Sequence, residues 1–204
     1  MEAFLGKGVI LKTKLPASRN IAIELDPKVL SRYWRRRSKT VQFIEGDALT
    51  VLPALKLDAS ALVYADPPYL GTVRTDKNRV YYGRELMTQE EHEKLLHVLT
   101  SLEAMVMVSG YQSELYCRQL KGWRMETKWT VTRGGTRVQE CLWMNFAPPI
   151  FLHDTRFIGS DFTDRQGAKR KIERWKNRFA RMEAQERFAI LEALTAMVDD
   201  GPQS

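Results

Sequence analysis

Asp66-Pro67-Pro68-Tyr69 places an acid, two rigid residues and an aromatic at the end of the apolar run Ala61 to Ala65. A carboxylate at Asp66 and a backbone carbonyl held rigid at Pro67 can accept the two hydrogens of an exocyclic amine. Such an amine is a poor nucleophile while its lone pair is delocalised into a ring. Drawing the nitrogen towards tetrahedral geometry frees that lone pair. Tyr69 offers a π-face to an unstacked base, a contact worth about 1–3 kcal/mol. Alone, the same four residues also read as a polyproline turn preceded by an acid.

Three other places carry residues of the right type. Gly6 and Gly8, in Phe4-Leu5-Gly6-Lys7-Gly8, allow a tight turn and close approach of backbone to a ligand. The stretch is not a phosphate-binding loop, because Gly8 follows Lys7 where Ser or Thr is needed. It is not a dinucleotide fingerprint either, because position 11 is Leu. Glu24 and Asp26 end a short apolar run about twenty residues further on, a placement suited to ribose hydroxyls. Asp26 precedes Pro27 and reads better as a helix cap, which leaves Glu24 as the ribose candidate. Asp47 closes the run Val41 to Glu45 in the same way.

These residues need elements to carry them. Runs at 19–26, 41–48 and 61–68 read as strands, separated by helical stretches at Lys28–Arg37 and Leu49–Leu55. The unbroken apolar character of Ala61 to Ala65 suits a strand covered on both faces. Alternating strands and helices imply an α/β fold with a parallel, doubly wound sheet and right-handed crossovers. Gly6/Gly8, Glu24, Asp47 and Asp66 would then line one crevice. Thr88 and Glu91 form a capping box for a helix to about Leu102, with positions 95, 96, 99 and 102 on its apolar face. A strand at Ala104–Val108 leads into Ser109-Gly110-Tyr111, and a helix spans Ser113–Leu120. Strands at Trp123–Val131 and Arg137–Phe146 are joined by a hairpin at Thr132–Thr136. Past Pro149 two helices are expected, near Asp164–Met182 and Ala184–Val198. Trp175, Phe179, Phe188, Leu191 and Leu194 would form their buried stripe. The division is a domain at 1–149 and a basic helical extension at 150–204.

Composition narrows the partners. The 204 residues carry a net charge of +7 with 44% hydrophobic content, ordinary for a globular chain. Nine Lys/Arg against three Glu between Arg165 and Arg187, Lys169, Arg170 and Lys171 among them, make a polyanion the expected partner. The loop Gly71–Gly83 mixes Arg74, Lys77 and Arg79 with Tyr81 and Tyr82, a pattern suited to extruded nucleic acid. No apolar run is long enough for a membrane span, and the lysines near the N-terminus argue against a signal peptide. Cys117 and Cys141 with His92, His97 and His153 make no metal-ligand spacing. They read as structural Cys and surface His in a reduced, cytoplasmic protein. Oligomeric state is not legible.

Phe4-Leu5-Gly6-Lys7-Gly8, Gly46-Asp47-Ala48, Asp66-Pro67-Pro68-Tyr69, Ser109-Gly110-Tyr111, Thr132-Arg133-Gly134-Gly135 and Leu142-Trp143-Met144-Asn145 together resemble the phage- and prophage-type adenine-specific DNA methyltransferases. The resemblance implies a Rossmann-like, mixed seven-stranded sheet, mostly parallel, with its last strand, within Arg137–Phe146, antiparallel. It implies S-adenosylmethionine as cofactor and DNA as substrate. By position it suggests Phe4, Gly6 and Gly8 at the cofactor's methionine part, Glu24 at the ribose, and Asp47 with Ala48 at its adenine. Asp66, Pro67 and Tyr69 would hold an extruded target adenine for direct displacement at its 6-amino group.

Only three residues precede Phe4, where family members have a further strand and cofactor motif, so the pocket is expected to be incomplete or completed by another chain. Only about twenty residues separate Asp26 from Asp47, too few for an inserted recognition domain. Recognition is therefore expected from Gly71–Gly83, the Thr132–Thr136 hairpin with Arg133, and the basic tail. Two alternatives stay open: methylation of an RNA base, and a nucleic-acid-binding relative without catalysis.

Overall fold

The computed structural model describes residues 1–34, 40–70, 87–131, 135–149 and 152–199. Its chain divides into two compact units, Met1–Pro149 and Ile150–Ser204.

The first unit alternates strands and helices. Helix α1 (Val9–Thr13) is followed by β1 (Asn20–Glu24), α2 (Pro27–Trp34), β2 (Val41–Glu45), α3 (Ala48–Ala54) and β3 (Leu62–Ala65). Then come α4 (Gln89–Ser101), β4 (Met105–Tyr111), α5 (Glu114–Gln119), β5 (Arg124–Val131) and β6 (Arg137–Met144). β1 pairs with β2 in parallel, Asn20 opposite Val41. β3 pairs with β4 in parallel, β4 with β6 antiparallel, and β6 with β5 antiparallel. The α/β class and mixed sheet follow from this order.

Among the described residues there are six strands, in a two-stranded and a four-stranded sheet, rather than the seven expected. Between them runs Met1–Leu5, which makes only isolated bridges at Glu2 but is hydrogen-bonded on both sides. The amide of Glu2 donates to the Ile21 carbonyl and that of Ala3 to the Tyr64 carbonyl, each at 2.9 Å. Glu2 thus bridges Ala22 of β1 and Tyr64 of β3.

The core lies between this sheet and the helices. Ile21, Ile23, Val63, Ala65, Val106 and Val108 meet Leu52 of α3 and Leu95, Leu96 and Leu99 of α4. The α4 spacing predicts that face correctly, and the Thr88–Glu91 capping box is formed in both directions. Two expectations of burial fail. Leu62 is 40% exposed and Tyr64 half-buried, because alternation along β3 turns Tyr64 and Asp66 towards an open cavity and not a covering layer. His92 is not on the surface: it is fully buried.

In the second unit, a single 3-10 turn at Thr155–Phe157 precedes α6 (Phe162–Ala180) and α7 (Ala184–Asp199). The expected apolar stripe is not buried. Phe188 is 70% and Leu191 61% exposed, with Trp175 and Leu194 exposed as well and Phe179 only half-buried. The two helices do not bury this stripe between them. Trp175 and Phe179 contact each other along α6 at 6.3 Å between ring centroids.

Candidate active site

One cavity of about 890 Å3 opens at the carboxyl ends of β1, β2 and β3. Its lining includes Phe4, Gly6, Gly8, Glu24, Asp47, Ala48, Asp66, Pro67 and Tyr69, every catalytic and cofactor residue expected from the sequence. The volume is that of a small-molecule site.

The glycine turn forms one wall. Gly6 and Gly8 have φ of 48° and 54°, in the left-handed region that favours glycine. A Cβ at Gly8 would meet Leu5 Cδ1 and Tyr33 Oη at 2.9 Å. The turn is tied to β1 by Glu24, whose Oε2 accepts from the Gly6 amide at 2.8 Å and whose Oε1 accepts from the Asp26 amide at 3.0 Å. Asp26 in turn accepts from Lys28 N–H at 2.8 Å and opens α2, the capping role expected of it. Gly46 follows β2, and its amide donates to the Glu24 carbonyl. Asp47 then caps α3, accepting from Leu49 N–H at 3.0 Å, and Ala48 behind it is buried.

The Asp66–Tyr69 segment lines the same cavity. Asp66 is reached by solvent through the cavity, yet protein packs densely around it. That desolvation raises its carboxyl above the ordinary range; the Tyr69 hydroxyl lowers it, Glu140 raises it and the Ser109 hydroxyl lowers it. Tyr69 Oη lies 3.1 Å from Ser109 Oγ, and the Tyr69 ring meets Tyr111 edge-on at 4.5 Å between centroids. Burial, with the Asp66 charge next, pushes the Tyr64 phenol up to about 12.

Several residues here escape a motif-based reading. Glu2 lines the cavity, is 6% exposed, and accepts from Leu11 N–H at 3.1 Å. That bond supplies a cap to α1, whose N-cap residue Gly8 has no side chain to give one. Burial raises the Glu2 carboxyl to about 7, the Leu11 amide opposing and Asp66 adding to it. Tyr64 and Tyr111 also line the cavity. Alternation was the available signal: Tyr64 is two residues before Asp66, and Ser109 two before Tyr111.

Lys169, Arg170 and Lys171 lie exposed on α6 in the second unit. Arg74, Lys77, Arg79, Tyr82 and Arg133 fall outside the described residues.

The family model of the D12 class N6 adenine-specific DNA methyltransferases matches residues 25–132, more than half of the chain. The chain belongs to this family. A D12 methyltransferase transfers the methyl group of S-adenosylmethionine to the 6-amino group of adenine in DNA, and that is the activity of this chain. The match covers Asp47 and Asp66–Tyr69; the glycine turn and Glu24 precede it. No curated protein matches the sequence. Among solved structures, M. capricolum TrmK in complex with S-adenosyl-homocysteine is similar at 8% identity, with 95% of this chain and 84% of that one covered and a TM-score of 0.40. Precorrin-6y C5,15-methyltransferase from Geobacter metallireducens GS-15 is similar at 10% identity, with 70% and 76% covered and a TM-score of 0.40. The family assignment rests on the sequence match.

The D12 cofactor fits the residues present. Glu2, Glu24, Asp26, Asp47, Asp66 and Glu91 line the cavity against Lys7 and Lys28, an acidic surface suited to a ligand bearing sulfonium and ammonium charges. Among the described residues no cluster could hold a metal ion, and no helix is long and apolar enough to cross a membrane.

Proposed function

We propose that the D12 reaction takes place in this cavity, with Asp66, Pro67 and Tyr69 holding the target adenine and the glycine side holding the cofactor. The observation that carries this reading is that residues from four separate stretches of sequence line one cavity. Phe4, Gly6 and Gly8 would contact the methionine part of S-adenosylmethionine, Glu24 the ribose hydroxyls, and Asp47 with Ala48 the adenine ring. When bound, the cofactor supplies an electrophilic methyl group on a sulfonium.

The protein's own contribution is orientation and proton handling. Asp66 and the Pro67 carbonyl accept the two amine hydrogens and make the N6 lone pair available. Methyl transfer would leave a surplus proton on N6, which Asp66 would take up or pass on to solvent. A carboxylate of raised basicity is the better acceptor for that proton. Tyr69, steadied by Ser109 and Tyr111, stacks on the base. An adenine within a duplex cannot reach Asp66, so the base must be extruded.

We read 1–149 as the methyltransferase domain and 150–204 as a basic helical extension whose Lys169, Arg170 and Lys171 meet DNA phosphates. Met1–Leu5 takes the place of the first strand in a seven-stranded-type sheet, in the order β2, β1, Met1–Leu5, β3, β4, β6, β5; its hydrogen bonds to both neighbours support this. A cytoplasmic location suits a DNA substrate.

The test is methyl transfer from labelled S-adenosylmethionine to unmethylated DNA, followed by digestion to nucleosides, with Asp66→Ala alongside. Label in N6-methyl-2′-deoxyadenosine, absent with the variant, is expected. An active Asp66→Ala protein would remove Asp66 from the reaction, and label found only with an RNA acceptor would change the substrate.

A further inference from the structure

His92 is fully buried in α4. Its Nδ1 lies 2.9 Å from the Tyr116 hydroxyl. Tyr116 is itself buried, its ring 5.1 Å from that of Trp143, so this partner is fixed in place. His92 Nε2 has no hydrogen bond of normal geometry among the described residues. The Pro68 backbone lies beside the ring and, lacking an amide hydrogen, can present only its carbonyl. Burial lowers the imidazole pKa, the Pro68 carbonyl opposing, which keeps the ring neutral with a single N–H.

A neutral ring between a hydroxyl and a carbonyl has one favourable tautomer. The hydroxyl can donate to an unprotonated Nδ1, whereas a carbonyl can only accept, so the proton belongs on Nε2. The opposite tautomer would set a nitrogen lone pair against the carbonyl lone pairs. A buried donor left without an acceptor is costly, and the Pro68 carbonyl is the acceptor beside this ring.

We propose that His92 is a positioning residue for methyl transfer, held by Tyr116 at Nδ1 and anchoring the Pro68 carbonyl through Nε2–H. Pro68 is one residue from the Pro67 carbonyl and two from Asp66, so the ring sets where both acceptors meet the amine. This rests on the assignment of Asp66–Tyr69 to the reaction. It differs from a packing role because it predicts loss at the chemical step and not in binding.

His92→Asn keeps a polar group near Nδ1 and cannot reach Pro68, whereas His92→Gln restores a donor near Nε2. Under the proposal His92→Asn lowers kcat by roughly 10- to 100-fold, the cost of a small misplacement of reacting groups. Dissociation constants for S-adenosylmethionine and DNA stay within about twofold, below a typical single hydrogen bond's worth. His92→Gln recovers most of the rate. Tyr116→Phe, which keeps the ring volume, lowers kcat in the same direction, so the conclusion does not depend on one variant folding. Histidine 15N NMR of the wild-type protein is expected to place the His92 proton on Nε2. Unchanged kcat per folded molecule in His92→Asn, or an Nδ1–H tautomer, overturns the proposal while leaving the parent reading intact. An inactive wild-type protein overturns both.

Discussion

The Tyr69 hydroxyl lies 3.1 Å from Ser109 Oγ, joining the aromatic of the Asp66–Tyr69 segment to the carboxyl end of β4. The bond orients a ring whose face is needed for stacking. Ser109→Ala and Tyr69→Phe should each slow methyl transfer several-fold, about the worth of one neutral hydrogen bond. The double variant should lose less than the sum of the two, since both remove the bond they share, while each also takes its own hydroxyl from Asp66. Tyr69→Ala should cost more, about 10- to 100-fold, because stacking is lost as well. Single-turnover rates of the four variants against wild type check this, and additive losses in the double variant would separate the two residues.

Glu24 holds the Gly6 and Asp26 amides with its two carboxylate oxygens. Glu24→Gln cannot accept at both positions and has no charge for the ribose side. We expect the dissociation constant for S-adenosylmethionine to rise about tenfold or more, the scale of one charged hydrogen bond. Calorimetric titration measures it, and wild-type affinity in the variant would take Glu24 out of the cofactor site.

Gly8 carries both a left-handed backbone and close neighbours. Gly8→Ala costs about 1–2 kcal/mol from the backbone alone. Leu5 and Tyr33 must also shift, and Leu5 is buried. A lower melting temperature with weakened cofactor binding is expected. A variant as stable as wild type would show that the turn relaxes without cost.

Glu2 titrates near 7 in the folded protein because of its burial. The folded state binds this proton more tightly than the unfolded chain does, so its stabilising contribution is full below the ordinary glutamate pKa. It is lost as pH rises towards 7. The drop is about 3 kcal/mol at most. Glu2→Gln keeps an acceptor for Leu11 and should flatten the stability profile between about pH 4.5 and 7. Denaturant unfolding of both proteins across that window tests it, and parallel profiles would show that Glu2 is not the group responsible.

Asp66 must be ionised to accept amine hydrogens, and desolvation raises its carboxyl. The acid limb of the kcat profile should therefore lie above the ordinary aspartate range, with activity falling as pH drops through it. A limb at the unperturbed aspartate value would point to a different titrating group.

Sequence alone determined the elements that depend on local chemistry. The capping box at Thr88 and Glu91, the apolar face at Leu95, Leu96 and Leu99, and the Asp26 cap are short-range patterns, and each is formed. The acids and glycines at strand ends were also legible, because an α/β chain puts those ends together by topology. Tertiary structure decided what depends on residues distant in sequence. Glu2 became a buried, cavity-lining carboxyl only because Met1–Leu5 lies between β1 and β3. His92, which reads from the sequence as a surface residue, is buried because α4 packs it against Tyr116 from α5, 24 residues away. The stripe on α6 and α7 errs in the other direction. Helical periodicity tells which residues share a face, but burial also needs a second surface to cover that face, and α6 and α7 do not supply it to each other.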